Sequence, residues 1–374
     1  MSDGLLSLHS GGMRNAQSCA KGARVMKALR WHGPGDLRLD DVPEPVPAAD
    51  EALVRVLWCG ICGSDLDEYR NGPVTTPMQV HPVHVAGEPI TLGHEVVGVI
   101  AWPAEDGTGP ALGEVVVPDV VVGCGKCWWC QRHQEGLCES LIVRGQTEDG
   151  GLAGFMVATA SSCLIVPAEV EPMHAALVEP LSVAVRALRK LAPIDGTRIA
   201  IIGAGTVGQL VLRAALALGA IVDLVVDPVA ERRASAVANG ALNSVTPDSF
   251  ETSDFLTLGS RIDAVVECSG ARDALALAVR LARRGGRVVA VGLRSTDVGL
   301  PLTELVLGER QILGSAAHLW DLDGRPSLDL LKTRRVDVSD LISHVIPLER
   351  AIQDGFELLE REPDAVKKVL VDCR

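Results

Sequence analysis

The chain of 374 residues and 39.4 kDa exceeds the roughly 250–300 residues at which a single hydrophobic core stops growing, so it predicts two domains. With 47% hydrophobic residues, 22% charged residues and a mean hydropathy of +0.24, the composition excludes a disordered, fibrous or coiled-coil chain. The formal net charge of −13 and pI near 5.2 argue against broad binding to nucleic acid or acidic membranes and favour a small-molecule partner. Aromatic residues make up only 3%, so the core must be built from Val, Leu, Ala and Ile.

Residues 1–25 hold only a short apolar patch at Leu5 and Leu6, which lacks the apolar run of a secretory signal; they read as a loose amino-terminal extension of a cytoplasmic protein. From 26 to about 166 the chain is rich in Pro, Gly and Val with short alternating runs at 51–57 and 95–100, the pattern of an irregular, strand-rich domain. From Thr197 the texture changes to apolar strand, glycine turn and apolar helix. Strands are predicted at 198–202, 221–226, 262–266 and 287–291. Near-continuous apolar strands separated by helices indicate a parallel sheet covered on both faces. The first intervening helix places Val207, Leu210, Val211, Ala214 and Leu218 on one face and ends at Gly219. The same region, 199–226, is interrupted by Gln209, Arg213 and Asp223, which excludes a membrane span of about 20 apolar residues. After Gly314 the pattern returns to mixed strands, with a helix predicted at 348–361.

Three sets of residues carry chemistry. Gly203, Gly205 and Gly208 follow a predicted strand and open a predicted helix, and Asp227 ends the next strand 19 residues beyond Gly208. That is a dinucleotide fingerprint in context: Gly203 for the tight turn, Gly205 for backbone approach to a pyrophosphate, Gly208 for helix–strand packing. Asp227 would accept hydrogen bonds from the adenosine ribose and repel a 2′-phosphate, favouring NAD over NADP. Arg232 and Arg233, within one helical turn, could instead meet a phosphate.

Cys124, Cys127, Cys130 and Cys138 are spaced to close a tetrahedral shell around Zn²⁺ with no open position, a structural site; an iron–sulfur cluster is the rival. Cys62, the pair His94 and Glu95, and Glu179 offer a mixed set that leaves room for water or substrate, as a catalytic zinc requires. Each of these is weak alone, since a buried thiol, a loop histidine and an N-terminal helix carboxylate are ordinary structural features. Cys59 with Cys62 as a redox pair is the minor reading, and Cys19, Cys163 and Cys373 read as free thiols.

Taken together, Cys62-Gly63-Ser64-Asp65, Gly93-His94-Glu95, the four-cysteine lobe, Glu179 with Pro180 and the Gly203–Gly208 fingerprint resemble the zinc-dependent medium-chain alcohol dehydrogenases, from Met26 to the carboxyl end and in the family's order. Glu179 stands where ethanol-oxidising members carry cysteine, so the polyol and diol branch (sorbitol, 2,3-butanediol and threonine dehydrogenases) is most similar. The resemblance implies a strand-rich GroES-like catalytic domain and a doubly wound Rossmann domain, an α/β protein divided as 26–166 (zinc lobe 123–139), 167–314 and a return to the catalytic domain at 315–374. It implies Cys62 and His94 as zinc ligands, with Glu95 and Glu179 as alternating ligands or partners of the bound water. Asp65 would orient His94, and Ser64 would contact the substrate hydroxyl. At the cofactor it implies Gly203, Gly205, Thr206, Val207 and Gly208 at the pyrophosphate, Asp227 and Arg232 at the ribose, and Val291, Gly292 and Leu293 beside the nicotinamide.

One departure bears on mechanism: the family's usual relay histidine is Asp67 here. Asp67 takes over the relay with a lower reference pKa, about 3.9 against 6.5, or reads a polar substrate while the proton leaves by Glu95 or Glu179, or has no role. His81 and His84, in the loop 71–91, read as surface residues. The expected reaction is reversible oxidation of a secondary alcohol to a ketone with NAD, by a homo-dimer or homo-tetramer. The rivals are a specialised biosynthetic dehydrogenase acting on a cyclitol, sugar or amino alcohol, and a zinc- and NAD-binding protein without turnover.

Overall fold

The structure is a computed structural model and describes residues 24–74, 87–250, 261–294 and 296–374. The extension 1–23 and the histidines His81 and His84 lie outside the described residues. In chain order the strands are β1 (Val25–Gly33), β2 (Asp36–Pro43), β3 (Glu51–Gly60), β4 (Ile90–Thr91), β5 (Glu95–Trp102), β6 (Val115–Val117), β7 (Val121–Val122), β8 (Ile142–Val143), β9 (Phe155–Thr159) and β10 (Leu164–Ile165). Helix α1 (Gly63–Asn71) follows β3, and α2 (Pro172–Ala175) and α3 (Val178–Arg189) follow β10. Strands β5, β6, β9 and β10 join β3 in one sheet, with β3 at its centre. The alternating run at 51–57 buries Ala52, Val54 and Val56 and turns Arg55 outward, so the period of two sets which face enters the core.

The second half carries β11 (Arg198–Ile202), α4 (Thr206–Ala217), β12 (Ile221–Val226), α5 (Ala230–Ala238), β13 (Ser244–Val245), β14 (Ala264–Glu267), α6 (Ala274–Leu281), β15 (Arg287–Ala290), α7 (Leu302–Leu307) and β16 (Gln311–Gly314). These strands form a parallel sheet in the order β13-β12-β11-β14-β15-β16. The order reverses between β11 and β14, and in such sheets a ligand crevice opens at the carboxyl ends of the strands beside that point. The fold is thus a GroES-like domain joined to a Rossmann domain. Helix α4 presents Leu210, Val211 and Ala214 to the core and ends before Gly219, whose φ of +91° makes the turn into β12.

The last 60 residues divide their packing. Helix α8 (Arg325–Lys332) lays Leu328, Leu330 and Leu331 in the same core cluster as α3 and α4. The strands β17 (Ile342–Pro347) and β18 (Lys368–Asp372) instead return to the first sheet, where β18 pairs antiparallel with β3 through Leu370 and Gly60. The segment 348–361 is helical throughout, as a 3₁₀ turn, a π turn and the α-helix α9 (Glu357–Arg361). Among the described residues no helix is long and apolar enough to cross a membrane.

Candidate functional site

Strand β3 ends at Gly60, and Cys62 caps α1 in an extended conformation (φ −92°, ψ 159°). Its backbone N–H donates to Asp65 Oδ2 at 2.9 Å, so the third residue of the helix reaches back to the cap and fixes the cysteine at the mouth of the helix. The other Asp65 oxygen lies 3.4 Å from His94 Nδ1; both atoms are buried and make no hydrogen bond among the described residues. Asp65 therefore sits against both sulfur- and nitrogen-bearing residues. His94 Nε2 lies 3.4 Å from Ser64 Oγ. Gly93 turns the chain into this position at φ +96°, and a Cβ there would meet Cys59 Sγ at 2.6 Å.

Glu95 opens β5 directly opposite Gly60. A side chain at Gly60 would put its Cβ 2.0 Å from Glu95 Oε2, so the glycine is the space the carboxylate occupies. Lys368, from the start of β18, donates to both Glu95 oxygens at 2.7 Å and to the Ile61 carbonyl at 2.9 Å. Burial works against the Lys368 ammonium, but Glu95, together with Cys62 and Asp65, offsets it and holds the lysine pKa above its ordinary value. The sulfur of Cys62, a ring nitrogen of His94 and a carboxylate oxygen of Glu95 all lie within 4.8 Å of one another. A soft thiolate, an imidazole and a carboxylate at this spacing fit a divalent zinc ion with a position left open.

Glu179 is in the first turn of α3 and is not part of that convergent set among the described residues. Its Oε1 lies 3.4 Å from His318 Nδ1, and His318 Nε2 is 3.0 Å from Asp119 Oδ1. Burial opposes a charged His318, yet the carboxylates of Asp119 and Glu179 raise its pKa to about 9. Burial would raise the Glu179 carboxyl, while the facing His318 leads the effects that bring it below the ordinary value. Asp67 lies on α1 three residues from Ser64, hence on the same helix face; it is partly exposed and has no hydrogen-bond partner among the described residues. Burial raises its carboxyl above the ordinary value. Sequence reasoning missed Lys368, His318 and Asp119, which no spacing rule connects to Glu95 or Glu179, and Gln146, whose Nε2 is 3.5 Å from Ser64 Oγ.

The four lobe cysteines also converge. Cys127 Sγ is 3.6 Å from Cys130 Sγ and 3.8 Å from Cys138 Sγ, too far for disulfides of about 2.05 Å. The edge of a tetrahedron with zinc–sulfur bonds of about 2.3 Å is about 3.8 Å, so the sulfurs stand where a ZnS₄ shell puts them. Backbone N–H groups of Cys127, Cys124 and Ser140 donate to the sulfurs of Cys124 and Cys138 at 3.2–3.3 Å. Donors of this kind, led by the Cys130 amide, lower the Cys127 thiol to about 6.

At the end of β11, Gly203 takes φ +87°, and a Cβ on Gly208 would meet the Gly203 carbonyl at 1.8 Å. Gly205 faces open space, with nothing within 4 Å of an added Cβ. Asp227 directly follows β12 and accepts the amides of Ala204 at 2.7 Å and Val229 at 2.8 Å, only 2% exposed. Arg233 is turned to the carbonyls of Asp227 and Pro228, and Arg232 to that of Pro363. Val291 and Gly292 follow β15 with their amides on the Glu267 carbonyl, and Leu293 is exposed. The fingerprint and the metal set meet at two adjacent residues: Thr206 Oγ1 lies 3.4 Å from the Lys367 carbonyl, and Lys368 holds Glu95.

Residues 48–168 match the model of the alcohol dehydrogenase GroES-like domain, and residues 206–332 match that of the zinc-binding dehydrogenases. Sorbitol dehydrogenase of Halalkalibacterium halodurans is 31% identical over 327 residues, 85% of this chain and 92% of that protein. (R,R)-butanediol dehydrogenase of Bacillus subtilis is 30% identical over 352 residues, 91% of this chain and 98% of that protein. The X-ray structure of 2R,3R-butanediol dehydrogenase from Bacillus subtilis matches with a TM-score of 0.83 at 28% identity, over 93% of this chain and 99% of that one. Motif order, fold and relatives agree: the chain is an oxidoreductase of the zinc-dependent medium-chain alcohol dehydrogenase family, in its polyol and diol branch.

Proposed function

We propose that the chain oxidises a secondary alcohol, a diol, polyol or similar polar alcohol, reversibly to the ketone with hydride transfer to NAD. The observation that carries this reading is the meeting of the two sites at Lys367 and Lys368, which brings the dinucleotide fingerprint to the edge of the Cys62, His94 and Glu95 set. Cys62, His94 and Glu95 would hold zinc, with Glu179 as an alternating ligand or water partner, and the ion would supply Lewis-acid polarisation of a substrate oxygen while NAD would supply the hydride acceptor.

The chain's own residues do the rest. Asp65 keeps Cys62 and His94 in place, Lys368 neutralises Glu95, and Ser64 Oγ, beside His94, receives the substrate hydroxyl proton. Asp67, on the Ser64 face of α1, passes that proton to solvent. The open space before Gly205 admits the pyrophosphate, with Gly203, Thr206, Val207 and Gly208 around it. Asp227, buried beside the ribose position with Arg232, disfavours a 2′-phosphate, which supports NAD over NADP. Val291, Gly292 and Leu293 border the nicotinamide. The lobe of Cys124, Cys127, Cys130 and Cys138 takes a second, structural zinc. Residues 26–166 and 315–374 form the catalytic part and 167–314 the NAD-bearing part, and the nine cysteines among the described residues, all unpaired, suit a reducing, cytoplasmic compartment.

The partly exposed Asp67 favours a second reading, a dedicated biosynthetic dehydrogenase whose cyclitol, sugar or amino alcohol substrate meets this carboxylate. Both readings are tested by NADH formation from zinc-loaded protein against vicinal diols, polyols, cyclitols, amino alcohols and simple secondary alcohols, each with NAD and NADP. Turnover on diols or polyols with NAD is expected and should vanish in Cys62→Ser. Silence on the whole panel with both zinc sites filled favours the biosynthetic reading, and a Cys62 site that stays empty after zinc addition refutes both.

A further inference from the structure

Each carboxylate of the candidate zinc site has a basic partner of its own. Lys368 grips Glu95 through both oxygens, whereas the ion-pair partner of Glu179 among the described residues is a ring nitrogen of His318 at 3.4 Å. That nitrogen, Nδ1, is buried and makes no hydrogen bond among the described residues, so the Glu179 carboxylate is the group it faces. The opposite nitrogen is anchored: Nε2 lies 3.0 Å from Asp119 Oδ1. His318 is fully enclosed, and its ring packs on Trp320 with centroids 4.9 Å apart.

The backbone around His318 is held as firmly. Ala317 takes a left-handed φ of +51°, which a side chain adopts only when its surroundings impose it. One residue further on, the Leu319 amide donates to Asp323 Oδ2 at 2.7 Å, and Arg189 Nε donates to Asp323 Oδ1 at 2.7 Å. Arg189 and Glu179 are on the same helix, α3. The histidine and the carboxylate it faces are therefore referenced to one rigid element, so the 3.4 Å gap is a fixed feature and not a chance approach of two loops.

From this geometry we infer that His318 is a positioning residue that holds Glu179 back from the zinc site, keeping one coordination position free for substrate. This rests on the reading of Cys62, His94 and Glu95 as a zinc site. A buried carboxylate without its basic partner seeks another positive charge, and the groups acting on Glu179 besides His318 are His94 and Lys368, which both belong to the candidate zinc site, so an ion held there would draw it. His318 is a competitor for Glu179, and its loss closes the site.

The test uses full-length protein loaded with cobalt(II), whose visible absorption reports coordination at the Cys62 site, together with chelator competition for the metal. His318→Phe keeps an aromatic ring against Trp320 and removes both nitrogens; Asp119→Asn keeps the fold and loosens the anchor on Nε2. The expected result for His318→Phe is a shifted cobalt spectrum at the Cys62 site and metal held there about tenfold or more tighter, on the scale of outer-shell effects. With substrate, kcat falls by a larger factor than KM changes. Asp119→Asn moves all three in the same direction by less, and it decides the matter if His318→Phe does not fold.

A spectrum and affinity equal to the unsubstituted protein, or weaker metal binding in the variants, overturns the inference. The cobalt readout does not depend on turnover. A protein that oxidises no alcohol yet shows the shift therefore loses the proposed activity and keeps His318 as the holder of Glu179, while active variants with unchanged spectra do the reverse.

Discussion

Removing the ammonium of Lys368 tests the site's electrostatics independently of any substrate. The side chains of Lys368 and Glu95 are 4% and 1% exposed, and the ammonium sits 2.7 Å from both carboxylate oxygens. Lys368→Met keeps the length of the stem but strands a buried carboxylate and frees the Ile61 carbonyl, a change that costs about 3–5 kcal/mol when one partner of a buried pair is lost. For 374 residues melting as one unit, an unfolding entropy of about 2.1 cal/mol/K per residue converts this into a Tm lower by about 4–6 °C. That figure belongs to chelator-treated protein. Zinc at Cys62, His94 and Glu95 would supply the missing positive charge, so the loss should shrink in the loaded protein. Replacing both partners, as Lys368→Met with Glu95→Leu, should recover most of the stability in chelator, because the stranded charge is gone. Thermal melts of the four proteins, with and without zinc, give the whole cycle. If Lys368→Met lowers the Tm by no more than about 1 °C in chelator, or by the same amount with zinc as without, the pair does not carry the charge balance argued here.

Gly60→Ala should displace Glu95, because the added Cβ would sit 2.0 Å from its Oε2, and the variant is expected to bind one zinc per chain instead of two by elemental analysis. In chelator-treated protein Cys127, with its thiol lowered to about 6, is a thiolate at pH 7 and should be the first cysteine alkylated, its rate falling as the pH drops through 6. Cys163, pushed up to about 12 by burial, should stay unmodified; peptide mapping that finds Cys163 labelled first would contradict this. If Asp67 relays the substrate proton it must be ionised, so kcat should fall as pH drops through a carboxyl value above the ordinary one, and Asp67→Asn should lower kcat and erase that acidic limb. An unchanged profile removes Asp67 from the mechanism. Leu302, Val306 and Leu307 are 60–69% exposed on α7, beside the unpaired edge of β16, an apolar face that suits a second copy of the chain. Light scattering should give at least twice 39.4 kDa, and Val306→Glu should shift it toward the single-chain mass.

What the sequence displays and what it hides divide along a physical line. The parallel sheet is legible because strands buried on both faces must be mostly apolar, and 199–202 and 224–226 are, while the buried Asp223 is paired with Arg198 from the neighbouring strand. The glycine fingerprint is legible because backbone geometry demands it: a Cβ on Gly208 would strike the Gly203 carbonyl, so no other residue writes the same turn. The four-cysteine lobe is legible because its ligands are local, 14 residues from first to last. In each case one short stretch of chain satisfies its own constraint.

The candidate zinc site obeys a different rule. Cys62, His94 and Glu95 are recognisable as residue types, but what fixes their charge state comes from far away in sequence. Lys368 reaches Glu95 across 273 residues because β18 returns to pair with β3, and His318, two residues ahead of a π turn, meets Asp119 across 199 residues. A lysine in an apolar strand carries no pattern that says whether it points to solvent or to a buried carboxylate, and Lys367 beside it is only half-buried and turns to Asp340 instead. Gly60 is the counterexample that shows how such information could be read. Its lack of a side chain, at the end of a strand that otherwise favours branched residues, marks a place where something must approach, and the approaching group is Glu95. Buried charge needs a partner wherever the chain can supply one, so finding an acidic residue in an apolar context should prompt a search of the returning carboxyl-terminal strands for the base that neutralises it.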